Sequence, residues 1–414
     1  MRSVILILLI PFSLGKIIPE STNATVNSVG NCAGVSSTCE IDPFGTLPTP
    51  LLIRGTNFVY PASSAATTLT FAAGETIDFA CPGGRVVTDG ITTTLQVATA
   101  SCVSGTRFIV NNARFLFRQL TCSVNPVSTI RYTGNSCNVI GREIEVGYQI
   151  TTARFVRTML ICFDTSTQST IYTYYDLVPA INNQIRGTPR PDWEEGSGIY
   201  SFSNVNSYYV RGTQRRTINT LVGLAATNTK YIQNNNYFLS RGHLIARSDY
   251  FYATQQNSTF YFPNALPQWQ SFNAFNWDQA ETDVQDYAAR NNVNLQVWTG
   301  GYGIATLPHE TTGTQVPLYL YVSGNTRLIP VPLLYWKVVY NPITQRGVAL
   351  IGVNNPYITW NQIDQFCVDQ SDRLTWLNWR KDDQSRGLSW ACTVTAFRRI
   401  VQSMPNIEIR GLLF

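Results

Sequence analysis

The chain predicts an α+β fold, a central antiparallel sheet with a few packed helices, preceded by a small all-β domain stapled by disulfides. Three observations carry this. Seven of the nine cysteines fall between Cys32 and Cys162, and over most of that stretch short apolar runs alternate with turns while helical periodicity is nearly absent. From about Gly147 onward longer β-branched and aromatic runs take over. Among them lies one segment of helical period, in which Trp277, Ala280, Val284, Tyr287 and Ala288 recur on one face.

The N-terminal string MRSVILILLIPFSLG has a basic start, an apolar stretch and small or polar residues after it. It reads as a secretory signal peptide over residues 1–16, too short to span a bilayer. No later stretch holds enough consecutive apolar residues to cross a membrane, so a soluble, secreted, extracellular protein with no membrane partner is expected. The cysteines agree with that compartment. None shows the CxxC spacing of a zinc site, so disulfides are the expectation, with Cys367–Cys392 the one pair singled out. The other seven cannot all pair among themselves. Sequons at Asn23 and Asn257 make the chain a candidate glycoprotein. The net charge of +5, one lower without Arg2, is compatible with a polyanionic partner. No pattern specifies an oligomer.

Residues 17–145 form the expected cysteine-rich β domain. Thr76–Cys81 alternates apolar with polar before Pro82-Gly83-Gly84, and 108–110, 115–117 and 144–146 read as further strands. This domain contains no histidine and no clustered carboxylates, hence no evident chemistry. Residues 146–414 are expected to form the second domain. Strands are predicted over 155–163 and 171–175, then a loop region whose arginines include Arg186, Arg190, Arg211, Arg215 and Arg216. Of these, Arg211, Arg215 and Arg216 are taken as the nucleic-acid-binding set, a phosphate-facing rim ahead of His243. A helix is predicted over 276–290 with Asn276 as N-cap. Strands follow over 318–322, 336–340 and 348–353, and a closing helix over 391–403. Gly300-Gly301-Tyr302-Gly303 lacks the Lys-Ser/Thr of a phosphate loop and reads as a hairpin turn; His309-Glu310 lacks a second histidine at zincin spacing and reads as loop.

One constellation stands out: Ser240-Arg241-Gly242-His243, then Asn264-Ala265-Leu266-Pro267-Gln268, then Asn273, Trp277 and Glu281 at i, i+4 and i+8. Taken singly, each has a plain reading. Asn273 caps a helix, Trp277 packs a core and Glu281 faces solvent. Their joint spacing resembles the pattern D-R-G-H, N-x-x-P-Q, N-x-x-x-W-x-x-x-E of the DNA/RNA non-specific endonuclease family and its ββα-metal finger. The resemblance runs from about Gly147 to the C terminus, and the module with Ala80-Cys81-Pro82-Gly83 looks like the leader domain of the secreted double-stranded ribonucleases of insects.

The resemblance implies a ββα-metal nuclease: a metal-dependent endonuclease acting on double-stranded RNA, with DNA as a further substrate. His243 would be the general base, a role worth about 10²–10⁴-fold. Asn273 would offer its amide oxygen to Mg²⁺, or another hard ion such as Mn²⁺. Glu281 would hold water in the ion's shell, Arg241 would meet phosphate oxygens, and Asn264 would position the others. Two positions depart from the pattern. Ser240 stands where the family has aspartate, and Gln285 stands where several relatives carry arginine. These departures favour, as the alternative, a catalytically weak nuclease-fold protein that binds nucleic acid. A third reading makes the N-terminal module an independent adhesive or inhibitory unit.

Overall fold

The computed structural model describes residues 38–233 and 236–414. The expected signal peptide, Asn23 and Cys32 lie outside them.

A nine-stranded sheet organises the fold. Strands Thr129–Cys137, Gly141–Thr151, Arg154–Asp164, Ser169–Leu177, Leu295–Tyr302, Leu334–Asn341, Arg346–Val353 and Ser389–Cys392 lie side by side in chain order, each antiparallel to the next. Gly411–Leu412 adds a short parallel pairing to Arg346–Val353. Inner strands such as Leu334–Asn341 and Arg346–Val353 are buried on both faces, which explains why they read as continuous apolar runs, whereas the edge strand Thr129–Cys137 is largely exposed. On one face Ile144, Ile161, Val297, Val339 and Leu350 pack against Ala280, Val284 and Ala288 of the predicted helix. On the other, Trp298, Trp336, Val338 and Trp390 pack against Val394 and Phe397. The α+β class and the central antiparallel sheet are therefore observed.

The longest excursion from the meander runs between Leu177 and Leu295, and it carries the candidate site. Within it sits helix Arg211–Val222, which sequence periodicity does not reveal. Its buried face is Gln214, Ile218, Asn219 and Val222, half amide and half aliphatic, so the apolar period is diluted. Gln214 exchanges hydrogen bonds with the Leu239 backbone at 2.7 and 3.0 Å, and the Asn219 amide nitrogen donates to the Ala225 and Asn228 carbonyls at 2.9 and 2.8 Å.

Before the large sheet comes the β module, built on a six-stranded sheet with Thr76–Ala80 and Val97–Ser104 at its centre. Cys39–Cys102 and Cys81–Cys122 close within it, Cys137–Cys162 links strands Thr129–Cys137 and Arg154–Asp164 across the intervening Gly141–Thr151, and Cys367–Cys392 forms as expected. Every described cysteine is thereby paired. The expected division between residues 145 and 146 falls inside strand Gly141–Thr151, and Thr129–Cys137 already belongs to the large sheet. We therefore propose the exposed segment around Val124–Val127 as the boundary. The module and the rest share a core in which Phe58 and Tyr60 meet Tyr148, Phe251 and Tyr252.

Three local expectations are corrected. Gly300 and Gly301 lie within strand Leu295–Tyr302, not in a turn; a Cβ on Gly300 would strike the Ile171 carbonyl and come within 2.6 Å of the Trp336 ring, so close strand packing demands glycine there. The closing helix is only Val394–Ile400, because Ala391 and Cys392 extend the sheet edge and Thr393 caps the helix by accepting from the Ala396 N–H at 3.3 Å. Asn276 is not an N-cap. It is buried mid-helix, donating to the Arg380 and Gly387 carbonyls at 2.9 and 2.6 Å and accepting from the Arg380 N–H at 2.9 Å. The helix begins six residues earlier, at Gln270.

Candidate active site

The site is assembled from two short strands and the helix that follows them. Leu239–His243 pairs antiparallel with Ala265–Trp269, bringing His243 opposite Ala265 and Arg241 opposite Pro267. Gly242 between them cannot bear a side chain: a Cβ would collide with Gln268 and lie 2.7 Å from the Tyr335 hydroxyl. The chain turns at Trp269 into Gln270–Phe272, widens to a π turn over Asn273–Trp277, and continues as Asp278–Asn291. A π turn inserts one extra residue per turn, and such insertions are frequent at functional sites because they re-aim a side chain. Trp277, at 1% exposure, anchors the turn in a small core with Leu244, Leu266, Phe272 and Tyr335.

His243, Asn273 and Glu281 line one cavity of about 550 Å³. Three guanidinium-bearing residues, Arg186, Arg190 and Arg247, line it with them, as do Asp278, Gln285 and Asp286. The fold thus brings together His243, Asn273 and Glu281, the residues expected from sequence as base, amide ligand and carboxylate. The cations differ. Arg211, Arg215 and Arg216 ride helix Arg211–Val222 and do not line the cavity. Arg247 was not singled out from sequence; its only signal is its position four residues after His243. It donates to the Thr188 carbonyl at 2.6 Å, tying down the loop that carries Arg186 and Arg190.

Arg241 shares the strand face of His243 but stands outside the cavity lining. Its guanidinium lies over Tyr209 and Phe262 at 5.4 and 5.9 Å and donates to Asn206 Oδ1. Asn264 is fully buried. It accepts from the Ile245 N–H at 3.0 Å and donates to the Ile245 and Thr259 carbonyls at 3.0 and 2.9 Å, so it shapes the turn after His243 and touches nothing in the cavity.

The electrostatics separate the two titratable groups in opposite directions. Burial, with Arg190 and Arg247 nearby, lowers the His243 pKa to about 3, so its imidazole is neutral across the physiological range. Burial raises the Glu281 carboxyl to about 8; Asp249 and Asp278 add to the rise, and the Lys337 ammonium opposes it. Lys337, 1% exposed, lies beneath the site, donating to Thr299 Oγ1 at 3.0 Å and to the Leu244 carbonyl at 3.4 Å, 5.6 Å from the Trp277 ring. Gln285 donates to Ser248 Oγ and Asp249 Oδ1 at 3.0 and 2.8 Å. Ser240 donates to the Gln268 carbonyl at 2.9 Å.

A cation would find few protein ligands here. Among the described residues no three His, Cys, Asp or Glu side chains gather as a metal cluster. Asn273 does present an amide whose nitrogen donates only to Gln270 Oε1, at 3.4 Å, leaving its oxygen uncommitted toward the cavity. One neutral oxygen with a carboxylate nearby suits a hard ion that keeps most of its waters, and does not suit zinc.

A family model for the DNA/RNA non-specific endonucleases matches residues 141–397. A salivary endonuclease of Lutzomyia longipalpis is 26% identical over 299 residues, covering 72% of this chain and 66% of that protein. Salivary protein Tsal1 of Glossina morsitans morsitans is 21% identical over 297 residues, covering 71% and 72%. The chain thus spans just under two thirds of the first of these relatives. A solved EndoG/EndoGI complex is similar at 16% identity and a TM-score of 0.40, over 62% of this chain and 87% of that one. The chain belongs to the DNA/RNA non-specific endonuclease family, whose members are generally dependent on a divalent metal and act on nucleic acid.

Proposed function

We propose that the protein is a secreted endonuclease that hydrolyses phosphodiester bonds of double-stranded RNA, and DNA as a second substrate, with His243 as general base and Mg²⁺ held through Asn273. The observation that carries this reading is the convergence of His243, Asn273 and Glu281 with Arg186, Arg190 and Arg247 in one cavity. Extracellular function is supported by the four disulfides and by the salivary relatives. The preference for double-stranded RNA rests on the likeness of the N-terminal module to the leader of the insect enzymes.

In this mechanism the arginines take the scissile phosphate and hold it beside His243. His243 accepts a proton from water as the water oxygen attacks phosphorus and the bond to the leaving oxygen breaks. The accepting atom is Nδ1, since Nε2 is sealed in the protein without a partner among the described residues. A hard divalent ion at Asn273 would neutralise charge on the phosphate and support the leaving oxygen. With such an ion bound, Glu281 would hold water beside it through a carboxylate that the ion's charge would keep ionised. Binding also tunes the base: a phosphate between Arg190 and Arg247 cancels the charges that depress His243, and raises its affinity for a proton when catalysis needs it.

The test is digestion of matched double-stranded RNA and DNA with Mg²⁺ and with EDTA, by the natural protein and His243→Ala. Magnesium-dependent cleavage abolished in the variant supports the reading, and the rate ratio identifies the substrate. Binding without cleavage by the natural protein would leave the weak, nucleic-acid-binding alternative that Ser240 and Gln285 favour.

A further inference from the structure

A catalytic histidine is ordinarily oriented by a carboxylate or carbonyl that takes the proton of its second ring nitrogen. His243 has no such partner: among the described residues nothing hydrogen-bonds its ring, and Nε2 is buried and unpartnered. An unsatisfied buried N–H is costly, so something else must define the tautomer and the ring plane.

The groups that enclose the imidazole are aromatic. The Trp193 ring lies 4.6 Å from it, centroid to centroid, tilted by 46°, and Phe260 meets it edge to face at 5.1 Å. Trp193 is itself braced by Phe260 at 5.2 Å and Phe262 at 5.4 Å. Its backbone is fixed as well. The next residue, Glu194, donates its N–H to the Phe260 carbonyl at 2.9 Å and accepts from the Phe262 N–H at 2.8 Å. Those two bonds pin an otherwise irregular loop at the point where its indole meets the base. His243 lines the cavity and Trp193 does not.

We propose that Trp193 is the positioning residue for His243, its indole face, with Phe260, taking the place of the missing hydrogen-bond acceptor and holding the imidazole with Nε2–H against the aromatic wall and Nδ1 toward the cavity. An N–H pointed at a π face is a weak but real hydrogen bond, and the same face attracts the imidazolium that forms when the base takes a proton. The aromatic wall therefore favours one neutral tautomer before the proton transfer and the charged ring after it. A carboxylate in that place would favour the charged ring before substrate arrives.

The inference rests on the reading of His243 as base, and its test separates the two. The chain has two histidines, so ¹⁵N-edited spectra of the imidazoles resolve both, with His309→Gln assigning the other. In the natural protein His243 is expected as a single tautomer protonated at Nε2. Trp193→Ala is expected to give a tautomer mixture and to lower kcat by about tenfold or more, the scale of a misplaced catalytic group, with KM changed less than about threefold. Trp193→Phe, which keeps a π face, should restore both. Trp193→Leu fills space without one and should behave like alanine, so a variant that fails to fold leaves a second comparison. An unchanged imidazole spectrum and kcat in Trp193→Leu would overturn the proposal. Cleavage surviving in His243→Ala would instead overturn the base assignment, and is read without reference to Trp193.

Discussion

Two sets of arginines approach the strand that carries His243, and they differ in their surroundings rather than in their chemistry. Arg186, Arg190 and Arg247 line the cavity with the base. Arg211, Arg215 and Arg216 sit on helix Arg211–Val222, whose Gln214 grips the opposite end of the same strand. There Arg211 lies over Phe238 at 4.1 Å, Arg215 donates to the Ile232 carbonyl at 2.9 Å and Arg216 is exposed. Charge near a partly buried cavity acts through a low dielectric, and its effect is visible on His243. Charge on an open helix is screened by salt within roughly 10 Å. The comparison teaches that a count of basic residues finds a region, while burial decides which of them address the chemistry.

The hardest blow to the cavity side is His243→Ala, expected to lower kcat/KM by about 10²–10⁴-fold while binding of uncleavable double-stranded RNA persists; initial rates beside a binding titration check it. Next comes Arg247→Ala, for which a loss of about 10–100-fold in kcat/KM is expected, the value of a charge-assisted phosphate contact. Arg216→Ala, its counterpart on the helix, should change kcat/KM less than about twofold and at most reduce the salt slope of binding by about 1. Equal losses in the two arginine variants would break the comparison.

Two smaller effects sharpen it. If phosphate neutralises Arg190 and Arg247, the acid limb of kcat should lie at higher pH than that of kcat/KM, because the first reports the bound enzyme and the second the free one. Coincident limbs would show that the arginines do not act on the base. Glu281 affects stability. Its carboxyl is raised to about 8 when folded, against an ordinary value near 4.5, so the folded state holds a proton that the unfolded state has lost between those values. The stability this provides is complete below about pH 4.5 and is lost as pH rises through about 8. Denaturant midpoints in EDTA should fall over that window in the natural protein and fall less in Glu281→Gln.

What could be read from sequence follows the same division. Strand runs such as 171–175 and 348–353 were legible because two-sided burial makes them continuously apolar, and the 277–288 face because Ala280, Val284 and Ala288 meet a sheet. Helix Arg211–Val222 was hidden by its amides, and Ala391–Cys392 looked helical until its pairing with Ala349 and Leu350 is seen. At the site, spacing within one short stretch identified His243, Asn273 and Glu281. It could not identify Arg247, which lies in that stretch but outside the matched spacing, or Trp193 and Lys337, which reach the same place from separate segments. Only tertiary structure joins them.

The module at the N terminus is joined to the rest of the molecule in an unusual balance. No disulfide among the described residues crosses between them, and the connecting residues Val124 and Val127 are 45% and 56% exposed. Yet Gln255 donates to the Tyr60 hydroxyl at 2.6 Å, Asn183 donates to the Ser64 carbonyl at 2.9 Å, and the Tyr252 hydroxyl donates to the Val59 carbonyl. A protease that nicked the chain there would sever the only covalent tie among the described residues without separating the pieces. The nicked protein should travel as one particle under native conditions and fall into two fragments in detergent, so that cleavage there would divide the chain without dismantling the fold.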